Sequence, residues 1–152
     1  MISITNVDLE KRIPMESRIK KTIELHDKGY NCAQAVACAY CDLVDIDEKT
    51  ALRATEAFGA GMGGRETTCG AISGAVFLAG LKSADGIVGA PKSKAKTYKL
   101  SKMIVDAFQQ KNGTIICKEL KEKDPETGKQ RRDCAGCIMD AAAIAEVVLF
   151  SE

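Results

Sequence analysis

The chain has 152 residues, of which 45% are hydrophobic and 28% charged, with a formal net charge of +1. This length fits one globular domain that buries about 70% of the surface its unfolded chain exposes. A balanced charge offers no basic surface for nucleic acid, so we expect no nucleic-acid partner. The longest run of small and apolar residues, residues 69–81, is too short to span a bilayer, so we expect no membrane insertion.

Seven cysteines are the distinctive feature of the composition. The first residues mix acidic and basic side chains where a secretory signal would need an apolar run, which favours a cytoplasmic location. In that reducing compartment an odd number of cysteines argues against a disulfide framework. Three roles remain for these thiols: metal binding, redox activity or simple burial.

The chain is expected to form an N-terminal arm over residues 1–14, with an extended piece at residues 2–7, and a single helical domain over residues 15–152. Apolar spacing and capping residues predict the helices 15–28, 32–44, 48–58, about 66–82, 92–111 and 134–149, with a helical turn near residue 117. The predicted N-caps are Asn31, Asp47 and Asp133. No alternating strand pattern competes, so the fold class is predicted to be all-α, a bundle of five to six helices.

The glycine-rich segment at residues 59–64 fits the pattern G-x-G-x-x-G. A dinucleotide-binding loop of that kind follows a strand, whereas residues 48–58 have helical composition and spacing. The phosphate-loop lysine is also missing, since the residue after Gly64 is Arg65. We therefore expect no nucleotide, and predict a glycine-rich loop between two helices.

Four cysteines fall at predicted helix beginnings. Cys32 and Cys134 directly follow predicted N-caps, Cys69 lies in the first turn of the helix near 66–82, and Cys117 begins a helical turn. Free N–H groups and the helix dipole favour a thiolate there. We expect these four sulfurs to converge. Cys69, with Arg65 one turn upstream, is expected to be the most reactive.

The remaining candidates are weaker. Glycines near Cys69 would let backbone N–H groups approach its sulfur, and the candidate cofactor-binding residues are Gly61, Gly63, Gly64, Arg65 and Gly70. Cys38 and Cys41 lie mid-helix among alanines and are interpreted as buried structural residues. The motif CAGC, Cys134 to Cys137, could be a dithiol pair or half of a metal site. His26, the only histidine, is interpreted as a solvated or satisfied side chain rather than a ligand.

Four motifs together resemble the C_GCAxxG_C_C family of redox-active proteins: YNCAQAV at residues 30–36, GAGMGGRETTCGAISGAVFLAGL at 59–81, CKEL at 117–120 and CAGCIMDAAAIAE at 134–146. The resemblance implies that the four family cysteines are Cys32, Cys69, Cys117 and Cys134. Cys137 falls where a large residue is expected. Members of the family that this sequence resembles are often encoded beside transporter genes, and a related domain occurs in a multihaem cytochrome. This chain has no C-x-x-C-H motif, so no haem is expected.

Three functional hypotheses follow. In the leading one, the four cysteines, with Cys137 as a possible further ligand, bind an iron–sulfur cluster, zinc or another thiophilic metal for electron transfer. In the second, the protein is a metal-free thiol–disulfide oxidoreductase or redox sensor that uses Cys134 and Cys137 or a long-range pair. In the third, it is a non-enzymatic, transport-associated accessory module. The expected partner is a redox protein or a transporter-associated protein.

Overall fold

The computed structural model describes residues 16–151, so the predicted arm and its extended piece lie outside the described residues. Within that range the regular α-helices are α1 (Ile19–Asp27), α2 (Cys32–Ala39), α3 (Glu48–Thr55), α4 (Gly70–Ser83), α5 (Lys94–Asn112), α6 (Cys117–Lys121) and α7 (Cys134–Leu149). The same range contains two isolated β-bridges, Thr68 with Ile116 and Lys123 with Gln130, and no sheet. The predicted all-α fold class is confirmed.

The glycine-rich segment joins α3 to α4 through an irregular turn. Gly59–Met62 is helix-like in its hydrogen bonding, but Ala60 and Gly61 have left-handed backbone angles, with φ of 51° and 54°. A strand does not precede this turn, because α3 ends in the 3-10 turn Glu56–Phe58. The predicted glycine-rich loop between two helices is therefore confirmed.

The three predicted N-caps all cap helices. The side chain of Asn31 accepts a hydrogen bond from the backbone N–H of Gln34, and the side chain of Gln34 accepts one from the backbone N–H of Asn31. Asp47 and Asp133 cap α3 and α7 by accepting from the third helical residue. Each cap satisfies an N–H group that the helix leaves open, which explains why these short polar residues set the helix beginnings.

Two predicted helix boundaries are displaced by tertiary contacts. α1 begins at Ile19, later than predicted, and the backbone N–H of Arg18 just before it donates to the carboxylate of Glu146 at 2.8 Å. α2 stops before Tyr40, and a 3-10 turn, Cys41–Val44, follows. Tyr40 is fully buried and stacks on Phe150 with ring centroids 5.4 Å apart, so a contact between distant residues overrides the local helical pattern.

The predicted start of the helix near residue 66 is wrong, because α4 begins at Gly70. The backbone N–H of Cys69 donates to the carbonyl of Ile115, and the N–H of Cys117 donates to the carbonyl of Thr67. These two hydrogen bonds hold the chain before Gly70 in an extended pairing. Cys69 is consequently the N-cap residue of α4.

α4 is the central helix of the bundle and packs against α2, α5 and α7. Its small residues allow a very close approach to α2. A Cβ atom added at Gly74 would lie 2.6 Å from the carbonyl oxygen of Ala33, and one at Gly70 would lie 3.4 Å from the Cβ of Cys32. The contact at Gly70 holds the beginnings of α2 and α4 side by side.

Every helix within residues 16–151 is too short or too polar to cross a bilayer.

The contact between α2 and α4 can be tested with two glycines of the same helix. We expect Gly74→Ala to lower the free energy of unfolding by about 1–3 kcal/mol, because its methyl group would overlap the Ala33 carbonyl. Gly80→Ala is the matched control. Its added Cβ meets no atom within 4 Å, so replacing a helical glycine should raise the free energy of unfolding by about 0.5–1 kcal/mol. Urea unfolding measures both, and equal effects would contradict the predicted close contact.

Candidate functional site

One cavity, of about 280 Å³, is lined by four of the cysteines: Cys32, Cys69, Cys117 and Cys134. Three of them are the first residues of α2, α6 and α7, and Cys69 caps α4. The structure therefore brings together the four thiols that the sequence singles out, while Cys38 and Cys41 lie outside the cavity wall. The roles of the four cavity cysteines as metal ligands or redox groups stay predictions.

Cys32 and Cys134 form a thiol pair at the cavity wall, which we call the outer pair, and both are partly exposed. The hydrogen bond from Cys32 lowers the pKa of Cys134, and the charge of Lys121 lowers it further, against the opposing effect of burial. The same hydrogen bond, followed by burial, raises the pKa of Cys32. Cys134 is thus the more readily ionised thiol of the outer pair.

Cys69 and Cys137 form a second pair, the inner pair, which is buried: Cys69 is 2% exposed at the cavity wall and Cys137 0%. The hydrogen bond from Cys137 lowers the pKa of Cys69, against burial, and backbone N–H groups at the start of α4 assist. The hydrogen bond with Cys69, and then burial, raises the pKa of Cys137. Both pairs join different helices, so neither is the local C-x-x-C pair of the CAGC motif.

Lys121, at the end of α6, is a residue of the cavity wall that the sequence did not indicate. Its ammonium lies 3.5 Å from the sulfur of Cys137 and 3.3 Å from the carbonyl oxygen of Arg132. The side chain is half-buried, which opposes its charge, yet the neighbouring cysteines outweigh this and raise the pKa of Lys121. The sequence could have indicated Lys121 by its spacing from Cys117, because residues four apart lie on the same face of a helix.

The expectation that Cys69 is the most reactive thiol is not supported by this geometry. Its placement rests on a helix start that is wrong, and the thiol is nearly inaccessible. The charge of Arg65 acts on Cys117 and is not among the main influences on Cys69. Cys134 combines partial exposure with a lowered pKa, so we expect it to be the first thiol to react.

The glycine-rich segment contributes one wall of the cavity. Gly61 and Arg65 line it, as does Gly70, whereas Gly63 and Gly64 do not. Gly61 has φ +54°, and a Cβ added there would overlap the Cβ of Cys117, so its lack of a side chain makes room for that cysteine. Burial raises the pKa of Cys117.

Ion pairs to one buried carboxylate fix the chain just before Cys134. Arg132 binds the carboxylate of Asp140 with two hydrogen bonds of 3.1 Å, and Lys111 reaches the same carboxylate at 2.6 Å. Asp140 is 2% exposed, so these cations offset the cost of burying its charge. The backbone N–H of Arg132 also donates to the carbonyl of Leu120. The start of α7 is therefore held against α6, which places Cys134 beside Lys121.

The donor set of the cavity suits a thiophilic metal, since all four cysteine ligands would be thiolates. Its geometry is less suited. Across residues 16–151, no group of three or more Cys, His, Asp or Glu side chains is arranged to hold a metal ion. The thiols instead influence one another's pKa in two pairs, Cys32 with Cys134 and Cys69 with Cys137.

The fold and this site define an all-helical protein with a multi-cysteine centre. A family model described as "Putative redox-active protein (C_GCAxxG_C_C)" matches residues 30–148, and the chain belongs to this family. The matched region includes both thiol pairs, which confirms the resemblance seen in the motifs. The comparisons with curated proteins and with solved structures found no match.

The effect of Lys121 on Cys134 can be measured directly. The pKa of Cys134 lies at about 5, and Lys121→Met removes a cation that lowers it, so a smaller fraction of this thiol is ionised at about pH 5, where the assay is run. We expect alkylation of Cys134 by iodoacetamide to slow about three- to tenfold, as followed by peptide mass mapping. Lys118→Met is the control, because Lys118 lies on the same helix with its side chain 68% exposed and pairs only loosely with Glu66. Equal rates in the two variants would contradict the role of Lys121.

Proposed function

We propose that this protein is a thiol–disulfide redox protein whose reactive centre is the outer pair, Cys32 and Cys134. The observation that carries the proposal is that these two thiols line one cavity together with Lys121, and each is the main influence on the pKa of the other. The pair combines a thiol of lowered pKa with a second thiol beside it, which is what a dithiol centre requires. The family description supports the coarser statement that the protein is redox-active.

The chemistry follows from the two protonation states. The thiolate of Cys134 attacks one sulfur of a disulfide substrate, R–S–S–R, so that a Cys134–S–R bond forms and RS⁻ leaves. Cys32 then gives up its proton to the released thiolate and attacks the sulfur of Cys134. The Cys32–Cys134 disulfide forms and the second RS⁻ leaves. Two electrons pass from the protein dithiol to the substrate, which becomes two thiols.

The surrounding residues have separate tasks in this scheme. Lys121 stabilises the thiolate that attacks, and Asp133 holds the beginning of α7 by capping it. In the inner pair Cys137 is fully buried and Cys69 is only 2% exposed, so this pair should stay reduced while the more exposed outer pair reacts.

A second candidate function is a metal centre. The observation that favours it is the convergence of Cys32, Cys69, Cys117 and Cys134 on one cavity, since these are the residues that would hold zinc or an iron–sulfur cluster. A bound cluster would supply one-electron transfer. Metal analysis of protein purified without oxygen tests this candidate: about one zinc, or iron with acid-labile sulfide, per chain would support it.

The dithiol proposal predicts which disulfide forms first. After limited treatment of the reduced, metal-free protein with 2-hydroxyethyl disulfide, peptide mapping should find Cys32 bonded to Cys134. Cys134→Ser should abolish this product and leave the inner pair reduced. Cys41→Ser is the control and should leave formation of the Cys32–Cys134 disulfide unchanged, because Cys41 lies outside the cavity. A first disulfide between Cys134 and Cys137 would contradict the proposed pairing.

A further inference from the structure

The cavity in front of the outer pair has a size and a charge that the proposed chemistry alone does not require. Resting on that proposed function, we infer that its substrates are small, negatively charged disulfides. The cavity volume is about 280 Å³. Pockets for drug-sized ligands are roughly 300–1,000 Å³, so this one suits a smaller molecule.

Apart from the cysteines, the titratable residues of the cavity wall are all basic. His26 of α1, Arg65 after the glycine-rich segment and Lys121 of α6 line it, and no Asp or Glu among the described residues does. Two charged side chains from separate parts of the chain, Arg65 and Lys121, thus reach one small cavity, together with His26, which the net charge of +1 counts as neutral. Basic side chains around a cleft raise the local concentration of anions.

The two amide side chains of the wall, in contrast, are already engaged. Asn31 accepts from the N–H of Gln34 and donates to the carbonyl of Glu56. Gln130 donates to the carbonyl of Lys121. Since these amides bind other parts of the chain, charge is the property of the wall that can select a substrate.

A charge series of small disulfides tests this inference. The probes are dithiodiglycolate with two negative charges, 2-hydroxyethyl disulfide with none and cystamine with two positive charges. Each is mixed with the reduced protein, and the rate of Cys32–Cys134 formation is divided by the rate of the same probe with a small free thiol. We expect the corrected rate to fall from the anion to the cation by about tenfold or more.

Two variants assign the preference to the cavity. Arg65 has φ +66°, so Arg65→Asn removes its charge with a residue that tolerates this backbone. We expect the anion-to-cation ratio to fall about three- to tenfold in this variant. Arg53→Gln is the control, because Arg53 is exposed on α3 and does not line the cavity, and its ratio should match that of the unmodified protein.

The outcomes separate this inference from the proposed function. Equal corrected rates for the three probes, or a ratio that Arg65→Asn leaves unchanged, would overturn the anion preference while the dithiol chemistry stands. Failure of all three probes to oxidise the outer pair would overturn the proposed function itself.

Discussion

The close contact between α2 and α4 is the constraint on which the site depends. Gly74 lies against the backbone of Ala33, and Gly70 lies against Cys32, so the two helices approach nearer than side chains would allow. α7 packs on both helices, which adds a third helix beginning to the same end of the bundle. The cysteines at the beginnings of these helices lie close together because the helix beginnings themselves lie close together. Small residues in the core therefore have a direct chemical consequence.

Electrostatics then divides the thiols into two pairs. Burying the ammonium of Lys121 is costly unless anionic groups lie nearby, and the cysteines around it provide that compensation. Exposure separates the pairs: both thiols of the outer pair are partly exposed, whereas in the inner pair Cys69 is 2% exposed at the cavity wall and Cys137 is fully buried. The charge of Lys121 thus lowers the pKa of one cysteine in each pair, and the two pairs differ in how far a substrate can reach them.

Local signals predict much of the fold. Asn31, Asp47 and Asp133 cap helices because a cap depends on residues three positions away, which sequence reveals. The beginning of α4 could not be predicted in this way, because it depends on hydrogen bonds to residues 115–117, far along the chain. The same reason applies to the pairing of Cys137 with Cys69 and to the position of Lys121, since both arise from contacts between helices.

The most direct test of the dithiol centre is a redox titration of the metal-free protein in buffers of 2-mercaptoethanol and its disulfide, with free thiols counted by mass spectrometry. The account predicts that the first transition removes two of the seven thiols, with a slope of about 30 mV per tenfold change, as expected for two electrons. A protein that keeps all seven thiols in the most oxidising buffer would contradict it.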